Sequence, residues 1–438
     1  MEKVQPRPIK VSVLVDLIRR PNAGGHVKSW ERFAQAAVRL SGSLDLTVHF
    51  LGEEETVVPL ADNVRFCLHP PRFSTQRFSF LSHVPDHTDL AFYHPSLAKS
   101  LAACDVIHTT DAFFTFARTA LKFSRRHGIP LVNSVHTDTP SYTRVYTALT
   151  VERALGQGLL SRILLNGLKV HIRAERYMLR RLAEHQRHSA FVLVSKPEDL
   201  DKLRQALPAD RVRMLRRGID TEFFTPAKRD RAWLQQRFGI PPERLVILFV
   251  GRLSRGKNII LVAEAVSRLA AEGLPVCLLC AGQGDERQSI VERLGSSACC
   301  PGMVLGEDLA RLYASADIFA MPSEIEVFCN VVQEAMASGL PAVLAQGGGM
   351  GRLIATEETG LIVEDRLAES WARALRTFCA DGERRAIVGR AARAYAEEKL
   401  PSWGDVLSQD LLTVWQAAAA LKTQRATGIL PVEVRTCE

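Results

Sequence analysis

The pattern that most constrains this chain is an alternation that starts twice. Short apolar runs alternate with longer amphipathic stretches. Val11–Val15 reads as a strand, followed by a Gly24-Gly25 loop and a helix near Val27–Leu40. Leu46–Leu51, Asp105–His108, Leu131–Val135 and Phe191–Ser195 read as further short strands. After Pro226 the pattern begins again with Leu245–Val250, a helix near Ile260–Glu272, and the run Val276–Ala281. Asp317–Met321, a helix over Asn330–Ser338, Pro341–Leu344 and Gly360–Val363 complete it. Strands separated by helical patterns make βαβ units with a mostly parallel sheet. The chain is therefore α/β, and its 438 residues suit two domains rather than one core. The boundary falls near Arg217–Pro226, giving domains 1–216 and 217–401. From Leu367 to Lys422 the pattern is helical, with Trp371, Leu375 and Phe378 and then Leu407, Leu411, Leu412 and Trp415 at helical spacing. Residues 421–438 form a tail without a clear pattern.

Composition narrows the class. Apolar residues make up 47% and charged residues 24%, which is globular and excludes a disordered chain. No apolar run approaches the roughly 20 residues needed to cross a bilayer. The polar N-terminus reads as no signal peptide, so a cytoplasmic location is expected. Cys277 and Cys280 have CxxC spacing but stand inside an apolar run, which marks core thiols. Cys299 and Cys300 have no matching second pair, so no metal site is expected. The net charge of +8 fits nucleic acid, an anionic membrane surface or phosphorylated substrates.

Candidate functional residues stand where strands end. Arg252 and Lys257 follow a strand and Gly251 and precede a helix. A guanidinium fork and an ammonium there suit a diphosphate, although a solvated basic loop reads equally well. The P-loop spacing is absent, so ATP is not specifically indicated. Gly24 and Gly25 let the backbone approach a phosphate at a helix N-terminus, or make a simple turn. Gly282 follows another strand and reads as a turn that can lie near phosphate. His136, after Leu131–Val135, can bond a sugar hydroxyl or phosphate, or serve structure alone. Glu326 and Glu334 are eight positions apart, roughly 12 Å along a helix. That exceeds the about 5–5.5 Å of a retaining glycosidase pair and suits two separate grips on an extended ligand, or two solvated glutamates.

A basic amphipathic stretch runs from Glu152 to Arg187. It interleaves Arg153, Arg162, Lys169, Arg173, Arg176, Arg180, Arg181 and Arg187 with Leu159, Leu160, Ile163, Leu164, Leu168 and Ile172. It suits an anionic membrane surface or an ordinary packed helix. Nucleic acid is not expected, because the basic residues are interleaved mainly with aliphatic side chains rather than with a series of aromatic stacking residues.

Together these motifs resemble the family 4 retaining glycosyltransferases of the GT-B fold. The resemblance rests on Arg252 and Lys257, Glu326 with Glu334, the run Ala335–Pro341, and the entry Arg217-Gly-Ile-Asp220 with Phe224 and Pro226. In the first half, Gly24-Gly25 stands where the family has its glycine-rich loop. His136-Thr137 with Pro140, Tyr142 and Tyr146 resembles a motif of the lipid-glycosylating members. The resemblance implies two Rossmann-like domains facing across a deep cleft, with a C-terminal helix over 402–420 crossing back to the first. It implies that Glu326 contacts the donor sugar, Glu334 the ribose, and Arg252 and Lys257 the diphosphate. Gly24, Gly25, Gly251, Gly282, Phe328, Cys329 and the amides of Asn330 and Val331 would line the donor, and His136 would stand beside the sugar. No metal or other cofactor is implied. Cys329 and Gly351 depart from the common pattern at the donor end, and Asp199-x-Asp201 has the form of a metal motif but a helical setting.

The expected function is transfer of a hexose from a nucleotide sugar, UDP-linked first and GDP-mannose second, to a membrane lipid such as diacylglycerol. The expected partners are the donor, the lipid acceptor and an anionic membrane inner face. A polysaccharide, lipopolysaccharide or small-sugar acceptor is the alternative, and a non-catalytic nucleotide-sugar-binding partner of a membrane assembly is the reading from another class. The missing dinucleotide fingerprint argues against a dehydrogenase.

Overall fold

The computed structural model describes residues 7–21, 23–77, 88–136, 138–156, 158–324, 330–347 and 358–426. The chain divides into two compact units, Met1–Arg216 with Gly404–Glu438, and Arg217–Trp403.

The first unit is built on eight strands: β1 (Ile9–Ile18), β2 (Leu44–Leu51), β3 (Thr56–Ala61), β4 (Val64–His69), β5 (Val106–Thr109), β6 (Leu131–Ser134), β7 (Phe191–Val194) and β8 (Val212–Met214). Their order is β3-β4-β2-β1-β5-β6-β7-β8. Neighbours are parallel except for the β3–β4 pair. The sequence reading lacked β3, β4 and β8. β3 lies at the sheet edge, where Pro59 costs no ladder bond and Val57 stays exposed, so it shows no buried run. Helix α1 (Gly25–Ala37) buries Val27, Trp30, Phe33, Ala34 and Ala37, an apolar stripe at helical spacing. Its α-helical part ends three residues before the expected Leu40, and a 3-10 turn over Val38–Leu40 follows. The basic stretch is not one helix. Helix α2 (Thr139–Leu155) stops at Gly156, whose φ of 65° few other residues adopt, and α3 (Val170–His188) starts after Lys169 at φ 50°.

The second unit has six strands: β9 (Leu245–Val250), β10 (Val276–Ala281), β11 (Ala298–Gly302), β12 (Ile318–Met321), β13 (Ala342–Ala345) and β14 (Gly360–Val363). All are parallel, in the order β11-β10-β9-β12-β13-β14. The chain winds outward from β9, then returns and winds the other way, the doubly wound Rossmann topology. Every residue of β10 is buried, including Cys277 and Cys280, as a strand covered on both faces requires. Helix α4 (Ile259–Ala271) follows β9, α5 (Gly306–Ser315) precedes β12, and α6 (Asn330–Ala337) precedes β13.

The last segment belongs to the first unit. Arg216 and Asp410 form an ion pair at 2.6 Å, and helix α7 (Thr413–Ala426) buries Trp415 completely.

Candidate active site

In the second unit, two strand-to-helix loops are laced together. The Gly251 N–H donates to the Ala281 carbonyl at 3.1 Å, and the Leu253 N–H to the Gln283 carbonyl at 2.9 Å. In return, the Glu286 N–H donates to the Leu253 carbonyl at 3.0 Å. The backbones lie so close that a Cβ on Gly282 would stand 1.8 Å from the Gly251 oxygen. One on Gly284 would stand 2.1 Å from the Leu253 oxygen. Gly282 is thus demanded by the fold itself.

This lacing holds out the basic loop. Arg252 is exposed and Lys257 half-buried. Lys257 ends a single turn closed by its N–H to the Ser254 carbonyl at 2.9 Å. Asn258, at φ 53°, then turns the chain into α4, a left-handed conformation Asn tolerates. Its side chain reaches the Pro322 carbonyl just past β12 at 3.5 Å. β9 and β12 are the pair at which the strand order reverses, the point where ligands bind in such sheets.

Helix α6 begins at Asn330, so the Asn330 and Val331 amides belong to its first turn, where N–H groups lack helical partners. Glu334 follows one turn on. The hydroxyl of Tyr313, a fully buried residue of α5, donates to Glu334 Oε2 at 3.0 Å. The Tyr313 ring is fixed by Phe224 and Phe319, with centroids 5.6 and 6.0 Å away. Glu324, ahead of this segment, is held in a two-armed pair by Arg366. Glu326, Phe328, Cys329 and Gly351 lie outside the described residues.

In the first unit, Gly24 caps α1 with φ −65°, and a Cβ there would meet nothing within 4 Å. Neither backbone angle nor packing demands this glycine. Gly25 opens the helix, and His26 brings the loop beside His136, with ring centroids 4.5 Å apart. His136 is 9% exposed, two residues past β6. Its Nε2 lies 2.6 Å from Ser134 Oγ, and Ser134 Oγ lies 2.8 Å from His108 Nε2. The Trp415 indole N–H donates to His108 Nδ1 at 3.0 Å. Burial, with His26 nearby, pushes His108 down to about 3. Asp16, near the end of β1, accepts from the Phe116 N–H at 2.8 Å, and burial together with Asp111 raises it well above the usual carboxylate range.

The structure thus brings the Gly24-Gly25 loop beside His136 through His26 in one unit. In the other it places Gly251, Arg252, Lys257 and Gly282 on or beside two laced loops, with Glu334 on the helix that follows β12. Sequence reasoning missed Tyr313, which touches Glu334 from another helix, and Ser134, His108 and Trp415, which lead by successive hydrogen bonds to His136. Asp199 and Asp201 lie on a helix, Pro197–Arg204. Among the described residues, no helix is long and apolar enough to cross a membrane. No group of three or more His, Cys, Asp or Glu among them is arranged to hold a metal ion.

Comparison with known proteins bears on this arrangement. The family model of Glycosyl transferases group 1 matches residues 230–395, and that of Glycosyltransferase Family 4 matches residues 23–223. A GDP-mannose-dependent alpha-mannosyltransferase of Mycobacterium tuberculosis is 30% identical over 74% of this chain and 75% of its own length. Sulfoquinovosyl transferase SQD2 of Arabidopsis thaliana is 28% identical over 67% of this chain, which spans 53% of that protein. Among solved structures, Anabaena HepE in complex with UDP is similar with a TM-score of 0.61 and 17% identity, covering 95% of this chain and 100% of that one. The two Rossmann-like units and these matches agree, and the chain belongs to the group 1 glycosyl transferases, family 4.

Proposed function

We propose that this chain transfers a hexose, with retention of configuration, from a nucleoside-diphosphate sugar to a lipid acceptor at an anionic membrane surface. The observation that carries the donor half is a basic loop held at the β9–β12 switch point, with Glu334 on the helix that follows β12. Arg252 and Lys257 stand on a loop laced to its neighbour, and Glu334 is held by a buried tyrosine. Two cations there match a diphosphate and stabilise the charge that develops as it leaves. The carboxylate of Glu334 accepts from the ribose hydroxyls, and Glu326 grips hydroxyls of the sugar. The α6 amides at Asn330 and Val331 add positive potential at the phosphates. His136, beside the open space at Gly24, bonds the transferred sugar. The positive charge for the leaving group comes from these side chains, with no resident metal. UDP is the favoured nucleotide, in keeping with the Anabaena protein solved with UDP. GDP-mannose stands second, in keeping with the mycobacterial relative.

The lipid half is supported by a surface. Leu159 and Leu160 are 74% and 64% exposed, and Val145, Ile163, Leu168 and Leu179 are exposed as well. Arg153, Arg162, Lys169, Arg173, Arg176 and Arg180 interleave them. Apolar side chains with basic neighbours suit the boundary of an anionic bilayer. The inner face of the membrane is the proposed place of action.

The test offers labelled UDP-glucose and GDP-mannose to the protein with diacylglycerol in phosphatidylglycerol vesicles, and separately with soluble glycans. Labelled lipid is expected from one donor. Label in a soluble glycan alone defeats the lipid acceptor. A donor that stabilises the protein, by about 2.7 kcal/mol at a hundred times its dissociation constant, yet is never turned over defeats transfer itself. Salt-sensitive co-sedimentation with the vesicles is expected, and Leu159→Ser with Leu160→Ser should abolish it without moving the melting temperature.

A further inference from the structure

The chain of contacts that ends on His136 has a direction. The Trp415 indole can only donate, so His108 Nδ1 must accept. His108 is fully buried and held neutral. A neutral ring with Nδ1 accepting carries its proton on Nε2, which therefore donates to Ser134 Oγ. Ser134 is itself fully buried. Among the described residues its hydroxyl has two hydrogen-bond partners, His108 Nε2 and His136 Nε2. The first already donates to it, so the serine proton goes to the second. His136 Nε2 is then an acceptor and carries no proton, which leaves the ring proton on Nδ1.

We propose that Trp415, His108 and Ser134 are positioning residues that set the tautomer and orientation of His136 for sugar transfer. None of the three needs to touch a substrate. A histidine that bonds a sugar can offer a donor or an acceptor, and the two choices suit different atoms. The relay favours one choice through three hydrogen bonds among buried side chains, where an unmade bond costs most. It also gives the segment carrying α7 a functional task, because the relay begins on that helix, 307 residues from His108. The consequence for catalysis rests on the reading that His136 bonds the sugar; the tautomer itself does not.

The experiment uses the full chain labelled with 15N-histidine. Two-bond nitrogen–proton spectra report which ring nitrogen carries the proton, and His136→Gln assigns the resonance. In the parent protein His136 is expected protonated on Nδ1 and His108 on Nε2. Ser134→Ala removes the donor to His136 with little change of volume. Trp415→Phe keeps a ring but frees His108 to turn its proton around. Both should shift His136 toward the Nε2–H form. Both should lower kcat about tenfold, the worth of one hydrogen bond, with KM for the nucleotide sugar held within about twofold. His136 protonated on Nε2 in the parent protein, or unmoved in both variants, overturns the relay. A shifted tautomer with unchanged kcat upholds the relay and overturns the placing of His136 at the sugar.

Discussion

In the proposed donor site, Glu334 is held by a residue that takes no part in the chemistry. A carboxylate on a half-exposed helix position has several rotamers and gains little from any one. The Tyr313 hydroxyl, itself fixed between Phe224 and Phe319, selects one of them by bonding Oε2. A hydrogen bond to a charged group contributes about 1.5–3 kcal/mol, more than a neutral one. Tyr313→Phe keeps the ring packing and removes only that bond. The expected result is a rise in KM for the nucleotide sugar of about tenfold with a nearly unchanged melting temperature. Unchanged KM would show that the tyrosine orients nothing that the donor feels.

At the scale of elements, the loops matter more than the strands they join. Gly282 and Gly24 both follow strands and look alike in sequence, yet they do different work. Gly282→Ala drives a methyl group into the Gly251 carbonyl, an overlap that backbone alone cannot absorb. It should cost about 3 kcal/mol or more, seen as a lower urea midpoint. Gly24→Ala meets open space at an ordinary φ and should leave stability within about 0.5 kcal/mol. Under the proposed function its expected effect is loss of transfer, because the methyl group would enter the open space beside His26 and His136 where the donor is proposed to lie. Full activity of Gly24→Ala would remove that loop from the site. The strands themselves were legible for a physical reason. β9 and β10 are covered on both faces, so they read as unbroken apolar runs. β3 is an exposed edge with a proline, and β11 is an edge strand carrying Pro301, so neither does. The site was legible only where position along the chain encodes position in space, as with Gly24, His136, Arg252 and Lys257 after their strands. Tyr313 is 21 residues from Glu334, and Trp415 is 307 from His108. No local spacing announces such partners, since tertiary packing alone makes them neighbours.

At the scale of the whole molecule, the two units differ in what acid does to them. All 12 histidines of the sequence precede Arg217, so none falls in the second unit. In the first unit, burial lowers His49 well below its ordinary value, His69 to about 4, and His108 and His185 to about 3. A lowered folded-state value means that the unfolded chain binds the proton first. Stability from these rings is therefore fully present above pH 6.5 and is lost as pH falls toward 3 to 4. Each ring withdraws about 1.4 kcal/mol per pH unit in that window. Asp16 and Asp111 are raised, so their contribution runs the other way, being present at low pH and lost as pH rises. They are two groups against four. The first unit should therefore loosen first on acidification, its sheet opening while the parallel sheet of the second persists. Peptide-resolved hydrogen exchange between about pH 7.5 and pH 5, corrected for the intrinsic rate at each pH, reads this directly. Protection is expected to fall across β1, β2, β4 and β5 before it falls across β9, β10 and β12. Equal loss in both units, or earlier loss in the second, would mean that buried histidines do not govern the acid limit. In that event the repulsion of a chain gaining positive charge, which spares neither unit, becomes the cause to test by adding salt.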